Sequence, residues 1–341
     1  MIVFDEVHKV FDRQKCFREA YNSLENVKKQ FPGIPIMALT ATLGNASIDK
    51  LCKDYLNLPV LIKGSINHNN IKLNIGNYQV QRKKKKANND DGVIGTWDSL
   101  SDSLIRHIGD SYAIVFMDFA NEVKDFSLCL KKKSDIEIMS FYGKGMRETE
   151  KAKVVQDFND QKFQVLCATE SYEVGVHNPR VDFVVRIGCM SNMNVLLQEF
   201  GRAGRGEENI AVGLLLVNKH KDDQRLGYWL KGCDTADRNR ITNDYMACWK
   251  WIYSIYVGNC LRDGVLKYYE EDVICPLVEA DDCCSSCELG LEKDFDIQHA
   301  LILLFKTINE LEDVLMKKNR RSVSNKDDIL VARCKTGLVG I

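Results

Sequence analysis

The hydrophobic pattern divides the chain into two alternating blocks and a helical, cysteine-bearing remainder. Residues 1–4 are apolar and run directly into Asp5-Glu6. Residues 14–30 have helical composition, 35–38 form a short apolar run read as a buried strand, and 46–56 are helical again. From about Asn77 to Asn218 the alternation resumes. Strands are predicted at 112–116, 137–141, 165–168, 182–187 and 211–217, separated by helical stretches such as 147–159. Short apolar strands between amphipathic helices predict an α/β fold built on a parallel sheet. From about Lys219 helices and cysteines replace the alternation. The last helical stretch, 294–318, places Ile297, Leu301, Leu304, Ile308, Leu311 and Leu315 at alternating four- and three-residue steps. That seam packs within the chain or against a partner helix.

Composition narrows the class. The 341 residues leave room for two or three units at about 100–200 residues each. Hydrophobic residues make up 45% and charged residues 28%, as in a globular chain with a buried core. No apolar run approaches the roughly 18–20 residues of a membrane span, and no signal peptide is visible. Forty-seven basic residues against 48 acidic ones give a net charge of −1, so a surface for a polyanion has to be local. The basic run 82–86, followed by polar residues to Gly92, is a loop that is either solvated or touches phosphate. Of 13 cysteines, eight are scattered (Cys16, Cys52, Cys129 and Cys167 among them), while Cys260, Cys275, Cys283, Cys284 and Cys287 cluster. This distribution suits a reducing compartment and a metal site better than a disulfide scaffold.

Candidate chemistry gathers at strand ends. Asp5-Glu6 follows an apolar strand, at the edge where open α/β sheets bind ligands. Nucleotide hydrolysis needs one carboxylate to hold Mg²⁺ and another group to orient or deprotonate water. Thr40 and Thr42 follow the second apolar run. Gln198-Glu199-Phe200-Gly201-Arg202-Ala203-Gly204-Arg205 sets two arginines three apart, which on a helix would face one direction. Planar, permanently charged guanidinium groups suit the charge that develops on a transferring phosphoryl group.

The order of these segments resembles superfamily 2 helicases, and specifically the RecQ family of DNA helicases. Asp5-Glu6-Val7-His8 resembles motif II, the DExH box; residues 38–42 resemble motif III; 112–116 resemble motif IV. Residues 168–179 are similar to motif V, and 198–205 resemble motif VI, the most specific match. The resemblance covers roughly residues 1–290. It implies a partial first RecA-like domain over 1–70, a second over 71–222, a helical zinc-binding subdomain over 223–290 and a C-terminal helix and tail over 291–341. It also implies ATP, Mg²⁺ and Zn²⁺ as cofactors. Asp5 would coordinate Mg²⁺ and Glu6 would act as catalytic base. His8, Thr40, Thr42 and Thr169 would couple the cleft to DNA, and Gln198, Arg202 and Arg205 would sense the γ-phosphate. Phe17 and Arg18 stand where the family has an aromatic-rich DNA-coupling loop, here without its tryptophan. The activity implied is ATP-dependent 3′-to-5′ unwinding of DNA in repair and recombination. Its partners would be single-stranded and forked DNA, with a nuclear location and no membrane. A non-catalytic nucleic-acid-binding module and an RNA helicase of the same superfamily are the rival readings.

The clustered cysteines fit a four-thiolate site. Cys275 follows Cys260 after 14 residues, Cys284 after another 8 and Cys287 after 2 more, which allows tetrahedral zinc. Cys283 competes with Cys284, and the expectation is that Cys283 points away. The neighbouring polar residues suggest little hydrophobic core there. The sequence departs from the family in one large respect: no loop ending in Gly-Lys-Ser/Thr occurs anywhere in it. The chain therefore reads as a fragment or a degenerate paralogue, with negligible ATP turnover expected on its own.

Overall fold

The computed structural model describes residues 1–10, 24–56, 59–79, 97–173, 178, 180–206, 210–271 and 279–289. They belong to one compact unit, residues 1–291; a second unit, 292–341, lies outside the described residues. So do Cys16, Phe17, Arg18, Cys275, the basic run 82–86 and the predicted helix 294–318.

The N-terminal block is a short parallel pair. Strand β1 (Ile2–Phe4) lies beside β2 (Ile36–Ala38) in the register Ile2↔Ile36 to Phe4↔Ala38. Helix α1 (Leu24–Gln30) precedes β2, and α2 (Asn45–Asp54) follows it. Val7 and Leu51 of α2 are buried, packed by Phe4, Ala38, Leu43 and Tyr55.

The second block is a six-stranded, all-parallel sheet. In chain order it comprises β3 (Ile71–Asn77), α3 (Asp98–Ile108), β4 (Tyr112–Phe116), α4 (Ala120–Lys133), β5 (Ile138–Phe141), α5 (Glu148–Asn159), β6 (Val165–Ala168), β7 (Val181–Ile187), α6 (Met193–Phe200) and β8 (Ala211–Val217). In space the strands run β3-β8-β7-β4-β6-β5. Period-two alternation assigns the faces. Ala113 and Val115 of β4 pack with Leu100 and Leu104 of α3 and Val123 and Phe126 of α4. Ile114 and Phe116 face the opposite layer, with Val154 and Phe158 of α5 and Leu196 and Phe200 of α6. Central strands covered on both faces become continuous apolar runs, which is why Tyr112–Phe116 and Val165–Ala168 stand out in the sequence. Strand β3 did not stand out. It sits at the edge, and Lys72, Asn74 and Asn77 interrupt its apolar positions.

Among the described residues five α-helices follow: α7 (Lys219–Trp229), α8 (Thr235–Tyr253), α9 (Leu261–Tyr268), α10 (Ala280–Cys283) and α11 (Ser285–Glu288). Asn218 caps α7 and Asp234 caps α8, each accepting a backbone N–H with its side-chain oxygen. Tyr245, Cys248, Trp249 and Ile252 of α8 and Leu261 and Val265 of α9 join the core layer that covers β3, β7 and β8. Cys284 forms a parallel bridge with Leu73 of β3. The cysteine segment is thus an extension of the main core, which corrects the expectation of a core-poor satellite. Among the described residues no helix is long and apolar enough to cross a membrane.

Candidate functional site

The chain leaves β1 through a tight turn. Phe4 O accepts from Leu39 N at 2.8 Å, and Val7 N donates to Leu39 O at 2.9 Å. Between them Glu6 adopts φ +53°, a conformation non-glycine residues rarely take, and Glu6 N donates to Asp5 Oδ1 at 2.9 Å. Strain of about 1–3 kcal/mol at such a residue persists only where its surroundings enforce it. The turn brings in His8, 1% exposed. Its Nδ1 lies 3.0 Å from Thr40 Oγ1 and 3.3 Å from Glu6 Oε2, and its Nε2 lies 2.7 Å from Gln198 Nε2 on α6. With the Gln198 amide donating, His8 Nε2 accepts, and the ring proton sits on Nδ1 facing Thr40 and Glu6. One imidazole therefore joins the two-stranded sheet to the six-stranded one. Thr42 is buried nearby, its backbone N–H donating to Thr40 Oγ1 at 3.3 Å.

Helix α6 starts at Asn192, whose Oδ1 accepts from Val195 N at 3.1 Å, and ends at Phe200. Arg202 and Arg205 lie beyond it, in a turn, and not on a helical face as their spacing suggested. Arg205 folds back, its Nε donating to Gly201 O at 3.0 Å. Burial, and then the positive charge of Arg202, hold the Arg205 guanidinium below its usual value. Thr169 hydrogen-bonds Ser171 at 2.7 Å, and Tyr172 is buried against Phe141 and Phe158. Of motif V, residues 174–177 and 179 lie outside the described residues.

Behind α6 lies a buried ion network that sequence reasoning missed. Arg186 of β7 bridges Asp118 and Glu199, the latter at 2.6 Å. Arg225 of α7 reaches Asp118 at 3.0 Å, Asp222 at 2.6 Å and Glu122 at 3.0 Å. Two guanidinium groups thus face four carboxyl groups. Burial pushes Glu199 up to about 8 against the pull of Arg186. The signal was present: Arg186 is a lone cation after the apolar run Phe183–Val185 in the strand Val181–Ile187, and Glu199 adjoins Gln198.

The sulfur atoms of Cys260, Cys283, Cys284 and Cys287 all lie within 4.8 Å of one another. Cys260–Cys283 and Cys284–Cys287 are separated by 3.5 Å and Cys260–Cys284 by 3.9 Å. Tetrahedral zinc with bonds of about 2.3 Å requires sulfur–sulfur edges of about 3.8 Å, so this donor set fits the metal. Cys283, expected to point away, instead faces into the cluster, because α10 ends on it and the bridge at Cys284 turns both side chains under α9. Cys275, expected as a ligand, lies outside the described residues. Arg262, the second residue of α9, donates to Cys283 O at 3.3 Å and to Ile71 O at 2.6 Å.

Comparison with known proteins places this arrangement. Residues 97–207 match the helicase conserved C-terminal domain. The ATP-dependent helicase SGS1 of Saccharomyces cerevisiae is 25% identical over 316 residues, 92% of this chain and 20% of that protein. The ATP-dependent DNA helicase RecQ of Haemophilus influenzae is 30% identical over 208 residues, 60% of this chain and 30% of that protein. The RecQ-like DNA helicase BLM of Xenopus laevis is 28% identical over 277 residues, 79% of this chain and 19% of that protein. The chain spans less than a third of the length of each of these relatives. The chain is therefore similar to RecQ-type helicases, with a helicase conserved C-terminal domain matched at residues 97–207.

Proposed function

We propose that the chain is the part of an ATP-dependent, 3′-to-5′ RecQ-type DNA helicase in which the two sides of the nucleotide cleft meet. The observation that carries this is the His8 bridge, which ties Glu6 and Thr40, just beyond β1 and β2, to Gln198 on α6 of the second block. MgATP, when bound, would supply the phosphoryl group whose transfer to water drives the cycle. Asp5 would hold the metal, Glu6 would take the proton of the attacking water, and Arg202 and Arg205 would balance the charge of the phosphates. His8 transmits a shift of Glu6 to α6 through Gln198, and Thr42 and Thr169 stand beside the strand ends where single-stranded DNA would run. Cys260, Cys284 and Cys287, with Cys283 or Cys275 as the fourth ligand, would hold a structural zinc ion. The division at residues 70, 222 and 290, a nuclear location, a role in repair and recombination, and forked DNA as substrate all belong to this reading.

The test is binding and turnover measured together on the 341-residue chain. Fluorescence anisotropy should show single-stranded DNA bound more tightly than RNA of the same sequence, with affinity falling as salt rises. ATP hydrolysis should stay at background, because the sequence contains no Gly-Lys-Ser/Thr loop. A preference for RNA would transfer the assignment to the RNA helicases. DNA-stimulated hydrolysis would overturn the assignment of the missing loop as indispensable.

A further inference from the structure

Residues 65–71 connect to both the cysteine module and the arginine turn. On one side Glu271 accepts from Ser65 Oγ at 2.7 Å and from Ile66 N at 2.9 Å. Arg262 donates to Asn67 Oδ1 at 2.8 Å, to His68 O at 2.7 Å and to Ile71 O at 2.6 Å, and also holds Cys283 O. It is 7% exposed, so its charge is placed where it can be satisfied only by these oxygens. On the other side Asn70 donates from Nδ2 to Gly204 O, in the turn between Arg202 and Arg205, and its carbonyl accepts from Ala211 N at 2.8 Å. Gly204 has φ +65°, and a Cβ there would meet Asn70 Nδ2 at 2.7 Å. A side chain at 204 would therefore both strain the backbone and displace Asn70.

We propose that residues 65–71 are a strut through which the cysteine module sets the position of the Arg202–Arg205 turn, with Arg262 and Asn70 as the positioning residues at its two ends. The strut's functional value rests on reading that turn as phosphate-facing, but its mechanical claim does not. Loosening either end lets the turn drift, because the hydrogen bonds of Arg262 and Asn70 tie residues 65–71 to the cysteine module and to Gly204.

Hydrogen exchange read by mass spectrometry on the zinc-loaded, 341-residue chain tests this, with zinc content measured alongside. In Asn70→Ala the zinc content should be unchanged, and amides 201–205 should exchange about tenfold faster, while those of β4 and β6 stay as in the wild type. Arg262→Lys keeps the charge but not the fork, and should loosen 66–71 and 201–205 together. Unchanged protection at 201–205 in Asn70→Ala overturns the proposal, as does loosening that extends through β4 and β6, which marks a purely structural residue. Loosening confined to 66–71 in Arg262→Lys also overturns it. Should Arg262→Lys lose zinc and sheet protection together, it is a folding variant, and Asn70→Ala decides alone. Binding of single-stranded DNA is measured separately. A chain that shows the exchange pattern yet binds no single-stranded DNA keeps the strut and loses the helicase reading.

Discussion

Gly213 of β8 illustrates how single positions seat the site. A Cβ there would lie 2.5 Å from the Phe200 ring, which closes the end of α6 just before the arginine turn. Gly213→Ala should destabilise the chain by about 1–3 kcal/mol, as overpacked cores do, with a lower urea midpoint as the readout. Glu199 makes a pH prediction. Its folded-state value, about 8, lies above the 4.5 of a free glutamate. The stability it confers is therefore complete below about 4.5 and is lost as pH rises through 8. Glu199→Gln abolishes that titration, so the variant should gain on the wild type between pH 6 and 9, by at most about 1.4 kcal/mol per pH unit. Urea unfolding across that range checks the sign. At this scale the sequence was partly legible. Asp5, Glu6, His8 and Gln198 were singled out from their types and order, and the structure gathers Glu6, His8 and Gln198. The buried partners Asp118, Arg186 and Arg225 were not, because a pairing between residues 68 positions apart leaves no local periodicity.

Elements show where local pattern suffices. Strands β4, β6 and β8 were found at their observed bounds, since burial on both faces writes itself as an unbroken apolar run. The arginine turn was misread as helix because spacing alone carries no stop signal; Gly201, where α6 ends, is that signal. Spacing also could not choose among adjacent thiols, as Cys283 and Cys284 differ by one position and both sulfurs reach the cluster. Helices α10 and α11 have four residues each, far below the length at which a helix persists by itself. Metal should hold them. One zinc ion per chain is expected by elemental analysis, and its removal by chelator should lower the thermal midpoint and cost helical signal in circular dichroism. Cys283→Ser and Cys275→Ser, compared for zinc retention, identify the fourth ligand: the one that loses metal supplies it.

For the whole molecule, the two sheets are joined across a distance of 190 residues by the Gln198–His8 hydrogen bond. Gln198→Ala removes one bond worth about 0.5–1.5 kcal/mol. The amides of Val7 and Leu39 should then exchange up to about tenfold faster while β4 keeps its protection, a result hydrogen exchange can read directly. The order β3-β8-β7-β4-β6-β5 has a further consequence, which concerns synthesis. Ile71 pairs with Ala211, so β3 is made 140 residues before its neighbour β8. At about 5–20 residues per second on the ribosome, β3 waits roughly 7–28 s with an open edge, while β4, β5, β6 and β7 already have one another. Lys72, Asn74 and Asn77 on that edge make a poor template for a stray strand. The same polar residues that hid β3 from the sequence pattern keep it soluble while the nascent chain waits for its partner.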